Sequence, residues 1–332
     1  MKKVLVTGAD GMLGSHICRD LLDRGYAVRA MIQSGRETGT IEDLDVERVT
    51  GDLLSREDVY HAVQGADYVI HTAANTQIWP GRSELIWKIN FDAVTYIADA
   101  VQEYGISRYI HVGTANSFGP GTKDAPGTEE NGYTDHRYRL DYQDSKHAAQ
   151  EYLLQRHKLE GLPVLILNPG FMLGAWDSKP GAGEMLLAIH EGRTPGYAPG
   201  GKMYVAASDV SRTAADALTA GQEGECYILG GENLSYREAF AMMAEVTGSS
   251  TPSLKIPAFA VWLYGLWGSV SAAILRREPN LSLAMARISN ADCYYSSRKA
   301  REELNFSPGP VKDGMRACFE WLQKHGYTKT AT

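Results

Sequence analysis

The chain has 332 residues, room for one large domain or two modest ones around a sizeable core. Apolar residues make up 44% and charged residues 22%, with a net charge of -7. These values fit a soluble globular protein and exclude a nucleic-acid-binding surface, since no basic run offsets the negative balance. Cys18, Cys226, Cys293 and Cys318 are scattered, matching neither a zinc spacing nor a disulfide framework, so no metal is expected and a reducing compartment is. The opening passes from Met1-Lys2-Lys3 directly into a strand pattern without a leader, which makes the cytoplasm the expected location.

In chain order, strand and helix signals alternate through the first half. Val4–Thr7 predicts a strand, followed by glycine turns and a helix from near Met12 through Leu22 that stops at Gly25. Further strands are predicted at Ala27–Ile32, Val46–Gly51, Asp67–Thr72, Tyr109–Val112 and Val164–Leu167. Apolar strands separated by helices imply a parallel sheet covered on both faces, hence an α/β, doubly wound, Rossmann-type architecture. Past Pro169-Gly170, prolines and glycines break the chain into shorter pieces, with a helix around Glu184–Glu191 and another over Ser208–Ala220 capped by Ser208. Cys226–Leu229 reads as a seventh strand rejoining the sheet, and Ser235–Thr247 as a capped helix ended by Gly248. The pattern divides the chain into a cofactor-binding domain, 1–170 with 207–230, and a smaller, mostly helical substrate domain, 171–206 with 231–328.

From Ile256 to Leu275 no charged residue occurs, nominally enough apolar length to span a bilayer. Pro257, Gly265, Gly268, Ser269 and Ser271 dilute it and no second span exists, so no integral span is expected. A buried or lid-forming helix is the main expectation, contact with a membrane surface the second.

Gly8, Gly11 and Gly14 recur every third residue after the first strand, ahead of a helix whose first amides, at Met12, Leu13 and Gly14, would face phosphate. Cofactor choice depends on the residues after the second strand. Met31-Ile-Gln-Ser-Gly-Arg-Glu37 places no carboxylate at the strand end, whereas Gln33, Ser34 and Arg36 can meet a 2′-phosphate, which favours NADP over NAD. Asp52 and Leu53 suit the adenine edge, and Thr72, Ala73 and Ala74 give the small residues a nicotinamide ribose needs to pass.

Tyr142 and Lys146 lie four apart and so share one helical face. An ammonium about 4–6 Å from a phenol lowers its pKa of about 10 by roughly one to three units, towards the range useful for proton transfer. Thr114, ending the fifth strand, can hold a carbonyl oxygen as alkoxide charge develops. Phe118, Phe171 and Trp176, on loops expected near the nicotinamide, together with the aromatic 256–275 segment, predict an apolar or aromatic small-molecule substrate.

Taken together, these segments resemble the extended short-chain dehydrogenase/reductase superfamily, in its NAD-dependent epimerase/dehydratase branch, from Met1 to about Gly326. By that resemblance, Thr7–Gly14 is the cofactor turn, Gly51–Leu53 the adenine-side motif and His71–Ala74 the fourth-strand motif. It likewise implies that Asn90 supports a proton relay, that Thr114, Tyr142 and Lys146 form the catalytic set, and that Asn168-Pro169-Gly170 closes over the nicotinamide. Lys146 would also hold the nicotinamide ribose. Gln150 replaces a common Glu, read here as a surface change. Thr114-Ala-Asn116 lacks the acid pair of sugar dehydratases, and Lys202 is a weak stand-in for the Arg that holds a sugar nucleotide's diphosphate. The segments 113–120 and 228–235 look more like dihydroflavonol reductase-like and hydroxysteroid dehydrogenase-like members, or hopanoid-associated sugar epimerases. An NAD(P)H-dependent ketone or aldehyde reductase is therefore expected, with a nucleotide-sugar epimerase on retained NAD as the alternative. A cofactor-binding sensor without turnover is disfavoured by the complete Thr-Tyr-Lys set. Helices near Arg82–Tyr104 and Asp141–Glu160 would pair across a homodimer.

Overall fold

The computed structural model describes residues 1–35 and 38–328. Among them the strands are β1 Lys3–Thr7, β2 Ala27–Ile32, β3 Glu47–Thr50, β4 Tyr68–His71, β5 Arg108–Val112, β6 Val164–Pro169, β7 Phe171–Leu173, β8 Gly196–Tyr197, β9 Gly201–Ala206, β10 Cys226–Leu229, β11 Glu232–Ser235, β12 Leu254–Lys255 and β13 Asp292–Cys293. The α-helices are α1 Met12–Asp23, α2 Arg56–Val63, α3 Glu84–Trp87, α4 Ala93–Glu103, α5 Asp141–Glu160, α6 Gly183–His190, α7 Ala207–Asp216, α8 Tyr236–Thr247, α9 Ala258–Leu275, α10 Leu283–Ser289, α11 Arg298–Glu303 and α12 Val311–Lys324.

Seven strands form one sheet in the order β10-β6-β5-β4-β1-β2-β3, and every neighbouring pair runs parallel. The order reverses between β1 and β4, opening a crevice at the carboxyl ends of those strands where such sheets take ligands. Continuous apolar strands explain the two-sided burial: Val4 and Val6 join one core with Ile17 and Leu21 of α1, while Leu5 joins the opposite core with Ile97 and Val101 of α4. The cysteines predicted to be unpaired are all free thiols, and all four are buried.

A second sheet, β11-β9-β13 with β7 also on β9, gathers strands from the later half, and α6, α8 and α12 enclose a separate apolar cluster against it. Only its β11 and β9 edges pair antiparallel. The capping box of α8 is present, Ser235 Oγ accepting from the Glu238 amide, and Gly248 closes the helix in the left-handed conformation. The helix expected from Ser208 is different. β9 runs directly into α7, the backbone turns at Ala206, and Ser208 lies inside the helix, which ends at Asp216. The segment 256–275 also departs from the expectation of a buried helix: α9 buries only Val261, Gly265, Gly268 and Ala272.

Candidate active site

β1 delivers the chain to Gly8, whose φ of 69° falls in the left-handed region open to glycine. A Cβ on Gly8 would stand 2.8 Å from the Ala73 backbone, and one on Gly14 would stand 2.0 Å from the Gly8 carbonyl oxygen. Strand, turn and helix therefore approach one another only because these residues lack side chains. Gly11 caps α1 without a side-chain hydrogen bond, and the first turn carries no carboxylate. The amides of Met12, Leu13 and Gly14 consequently have no intrahelical acceptor, and the positive end of the helix dipole is uncompensated. This cradle fits a pyrophosphate.

Around the cradle, Thr72 donates its hydroxyl to the Thr7 carbonyl at 2.8 Å, and Thr72, Ala73 and Ala74 are half-buried beside Gly8. Gln33 and Ser34 follow β2 and are exposed, while Arg36 lies outside the described residues. Asp52 turns its carboxylate to the Leu54 amide at 2.9 Å, and Leu53 packs on the core beside it. Thr40 and Arg19 carry no motif signal, yet they hold the loop after β2 against the turn. The Thr40 hydroxyl donates to the Asp10 carbonyl at 3.0 Å, and Arg19 donates to the Thr40 carbonyl at 2.9 Å.

At the carboxyl end of β5, Thr114 caps a short 3-10 turn, Ala115–Ser117. Tyr142 is the second residue of α5, and its phenol lies near the Thr114 hydroxyl. Lys146, one turn later and buried, donates to the Val112 carbonyl at 2.5 Å. Burial lowers the Lys146 pKa to about 8. The expectation that this ammonium lowers the Tyr142 pKa is not met. Burial raises the Tyr142 pKa and the Thr114 contact only opposes it, because the Lys146 charge is turned to Val112. Beneath them lie His71, given in the sequence only as the start of the fourth-strand motif, and His111, to which the sequence assigned no role; they occupy paired positions at the ends of β4 and β5. Their rings are 5.4 Å apart. Burial first, then the Lys146 charge, brings His71 down to about 3 and His111 well below its usual range, so both are neutral. Thr7 and His71 share a 2.6 Å hydrogen bond that ties this pair to the cofactor turn.

Asn90 stands in a π turn, Lys88–Asp92, between α3 and α4. The extra residue of a π turn re-aims its side chains, a device frequent at functional positions. Asn90 accepts from the Asn75 amide at 2.8 Å and donates to Ser145 Oγ at 3.1 Å, joining the end of β4 to α5. Asn168 plays the corresponding part from β6. Its amide donates to the Thr114 carbonyl at 3.0 Å and to Gln150 Oε1 at 2.8 Å. Gln150 is thus not a surface residue but buried support for Thr114, which helical phase alone could have indicated, since it follows Lys146 by one turn. Pro169 ends β6, and a Cβ on Gly170 would meet the Met203 carbonyl at 2.7 Å, so the chain there passes close to the second sheet.

The three aromatics expected at the substrate have no partners in common. Phe118 is buried in the main core. Phe171 packs edge-on to Tyr204 at 5.5 Å, with the Lys202 ammonium 4.6 Å from its ring centre. Trp176 lies on α1 instead, its ring 4.5 Å from His16 and 3.9 Å from the Arg19 guanidinium.

The pattern described as the NAD dependent epimerase/dehydratase family matches residues 4–230. A Synechocystis sp. protein named, provisionally, a dihydroflavonol 4-reductase is 28% identical over 98% of this chain and 96% of its own length. Sterol demethylase protein B of Methylococcus capsulatus is 28% identical over 97% of this chain and 98% of its own. Among solved structures, that of gox2253 covers 99% of this chain and 100% of its own, with a TM-score of 0.87 and 29% identity. Other relatives are named as dehydrogenases and reductases, and other structural neighbours as nucleotide-sugar epimerases and dehydratases, some holding NAD.

Proposed function

Because the chain belongs to the NAD-dependent epimerase/dehydratase family of extended short-chain dehydrogenases/reductases, we propose that it is an NAD(P)H-dependent reductase of an apolar or aromatic ketone or aldehyde, or the reverse alcohol dehydrogenase. The nicotinamide, when bound, supplies the hydride. Met12, Leu13 and Gly14 hold the pyrophosphate through their amides, with Gly8 and Gly11 clearing its approach. Asp52 and Leu53 border the adenine, and Thr72, Ala73, Ala74, Pro169 and Gly170 line the nicotinamide end. Gln33, Ser34 and Arg36, in place of a carboxylate after β2, favour NADP over NAD.

In this reading Thr114 holds the substrate oxygen and Tyr142 moves the proton to or from it. Lys146 holds the nicotinamide ribose, and an anionic dinucleotide beside it favours its charged form. Asn90 supports the relay through Asn75 and Ser145. Phe171, beside the second sheet, is the one of the three aromatics kept as a substrate contact, cofactor binding rests on 1–170 and 207–230, and the substrate segments are 171–206 and 231–328. The sterol-related name of the Methylococcus relative supports an apolar substrate. We further infer a cytoplasmic homodimer paired through α4 and α5.

One observation carries the proposal: the Thr114 and Tyr142 hydroxyls lie together beside a buried lysine, at the carboxyl edge of the sheet next to an open phosphate cradle. The epimerase alternative needs a cation for a diphosphate, and Lys202 is engaged with the Phe171 ring, which favours the reductase. The test is NADPH consumption over a panel of ketones and aldehydes, followed by variants. Tyr142→Phe is expected to lose roughly a hundredfold to ten-thousandfold in kcat with cofactor affinity nearly unchanged, and Lys146→Met to lose both. Wild-type kcat in Tyr142→Phe would remove the mechanism. NAD that stays bound through purification, with turnover of UDP-sugars, would decide for the epimerase.

A further inference from the structure

Helix α9 turns its small residues inward and its large ones outward. Val261, Gly265, Gly268 and Ala272 form the buried stripe. A Cβ on Gly265 would lie 2.4 Å from the Ala286 methyl, and one on Gly268 2.2 Å from the Leu281 carbonyl, so α9 lies tightly on α10 and its lead-in. Phe259, Leu263, Trp267, Val270 and Ile274 all face outward, with exposures from 52% at Leu263 to 74% at Ile274. At about 100° per residue, the buried stripe takes roughly 60° of the circumference; the five outward residues span roughly 80°, and exposed Trp262, Tyr264 and Leu275 widen the apolar arc to roughly 220°. The serines do not interrupt that arc: Ser271 donates back to the Gly268 carbonyl, and Ser269 accepts from the Leu283 amide. An exposed apolar surface of this extent marks an interaction site.

Three features choose its occupant. A seam with a second copy of the chain needs a stripe of about 100° and would leave the rest of the arc in water, whereas a fluid apolar phase accepts all of it. Aliphatic Leu263, Val270 and Ile274 lie in mid-arc, while Trp262 and Tyr264 lie towards its two edges, the depth at which such rings prefer a headgroup boundary. Lastly, exposed cations bracket the helix, Lys255 before it, Arg276 and Arg277 after it and Arg287 on α10, against the single carboxylate of Glu278. A net-negative chain thus carries a positive rim around its apolar patch, complementary to an anionic surface. Its start is tied to the fold by the Ile256 amide to the Tyr197 carbonyl and by the Asn290 side chain to the Ala258 carbonyl, and its second half by the Leu283 amide to Ser269. The helix therefore lies flat on its neighbours.

We propose that α9 is a membrane-surface element that lies in the plane of an anionic lipid bilayer, with its large residues in the acyl boundary and its cations among the headgroups. This goes beyond the reaction and does not depend on it. The test is flotation of the full chain with vesicles of phosphatidylcholine containing phosphatidylglycerol, and with phosphatidylcholine alone. Wild type is expected to float with the anionic vesicles, about tenfold or more better than with the neutral ones at low salt. Trp267→Glu with Ile274→Glu should lower flotation by about tenfold or more while thermal unfolding stays that of a folded chain. Arg276→Glu with Arg277→Glu should remove the anionic preference. Wild type that stays in the bottom fraction overturns the proposal, as does equal flotation of the Trp267/Ile274 variant. So does a wild-type dimer that the same two substitutions convert to monomer without any change in lipid binding, since α9 would then be a contact between copies.

Discussion

β5 and α9 are both strongly apolar, yet Tyr109 and Ile110 of β5 are sealed from solvent while Phe259 and Trp267 of α9 stand in it. The difference lies in what each element has on either side. β5 is hydrogen-bonded between β4 and β6 and covered on both faces by helices, so every side chain has somewhere to go. α9 packs closely on α10 and its lead-in, and that contact admits only small residues. Composition reports how much a segment would gain by leaving water. Only tertiary neighbours decide whether it does so inside its own chain.

Substitution separates the two regions most sharply. Ile110→Ala, in the interior, should cost about 2–5 kcal/mol of unfolding free energy, whereas Trp267→Ser in dilute, lipid-free solution should change it by about 0.5 kcal/mol or less. Urea titrations of both variants check this, and a loss at Trp267 comparable to that at Ile110 would mean that the outer face of α9 is covered in solution.

A charge in the interior gives the next effect. Lys146 titrates at about 8 in the folded chain, against an ordinary lysine value of 10.5, because burial disfavours its charge. Below pH 8 it is charged in both states and the folded chain bears the whole cost, of order 3 kcal/mol. Between pH 8 and 10.5 the unfolded chain binds more protons, so stability contributed at this residue rises with pH. The melting temperature of wild type relative to Lys146→Met should therefore climb across that window, and a flat difference would show that Lys146 is solvated.

The smallest effect tests the support under the site. Gln150→Leu removes an acceptor from the buried Asn168 amide and should cost about 1 kcal/mol with a few-fold loss of kcat. Gln150→Glu restores an acceptor and should recover most of both. Identical behaviour of the two variants, in melting temperature and kcat, would show that the contact does not position Thr114.

The cofactor turn and the Tyr142–Lys146 pair were legible in the sequence because their geometry is local: three glycines at one turn, and two residues one helical turn apart. Most of the central strands were legible because burial on both faces makes them largely apolar; the edge strand β3, Glu47–Thr50, is exposed and was legible from the short run around Val49. The π turn at Asn90, the Gln150–Asn168 contact, the neutral pair of His71 and His111 and the second sheet were not, since each joins segments far apart in the chain. Ser208 misled because a good capping residue at the second position of a helix looks the same in sequence as one just before its start. Trp176 was expected on a loop near the nicotinamide, but the positive φ of 62° at that residue carries its ring onto α1.

The four sealed thiols have a consequence for how the molecule meets its chemical surroundings. Burial pushes Cys18 and Cys318 up to about 12 and Cys293 up to about 11, and raises Cys226 as well, so none forms thiolate at neutral pH. Alkylating agents and peroxide attack thiolate, which leaves the four thiols of the folded molecule inert to both. A chain that opens exposes nucleophiles spread from α1 to α12 at once, and the sulfurs then record, irreversibly, how often the protein has been open.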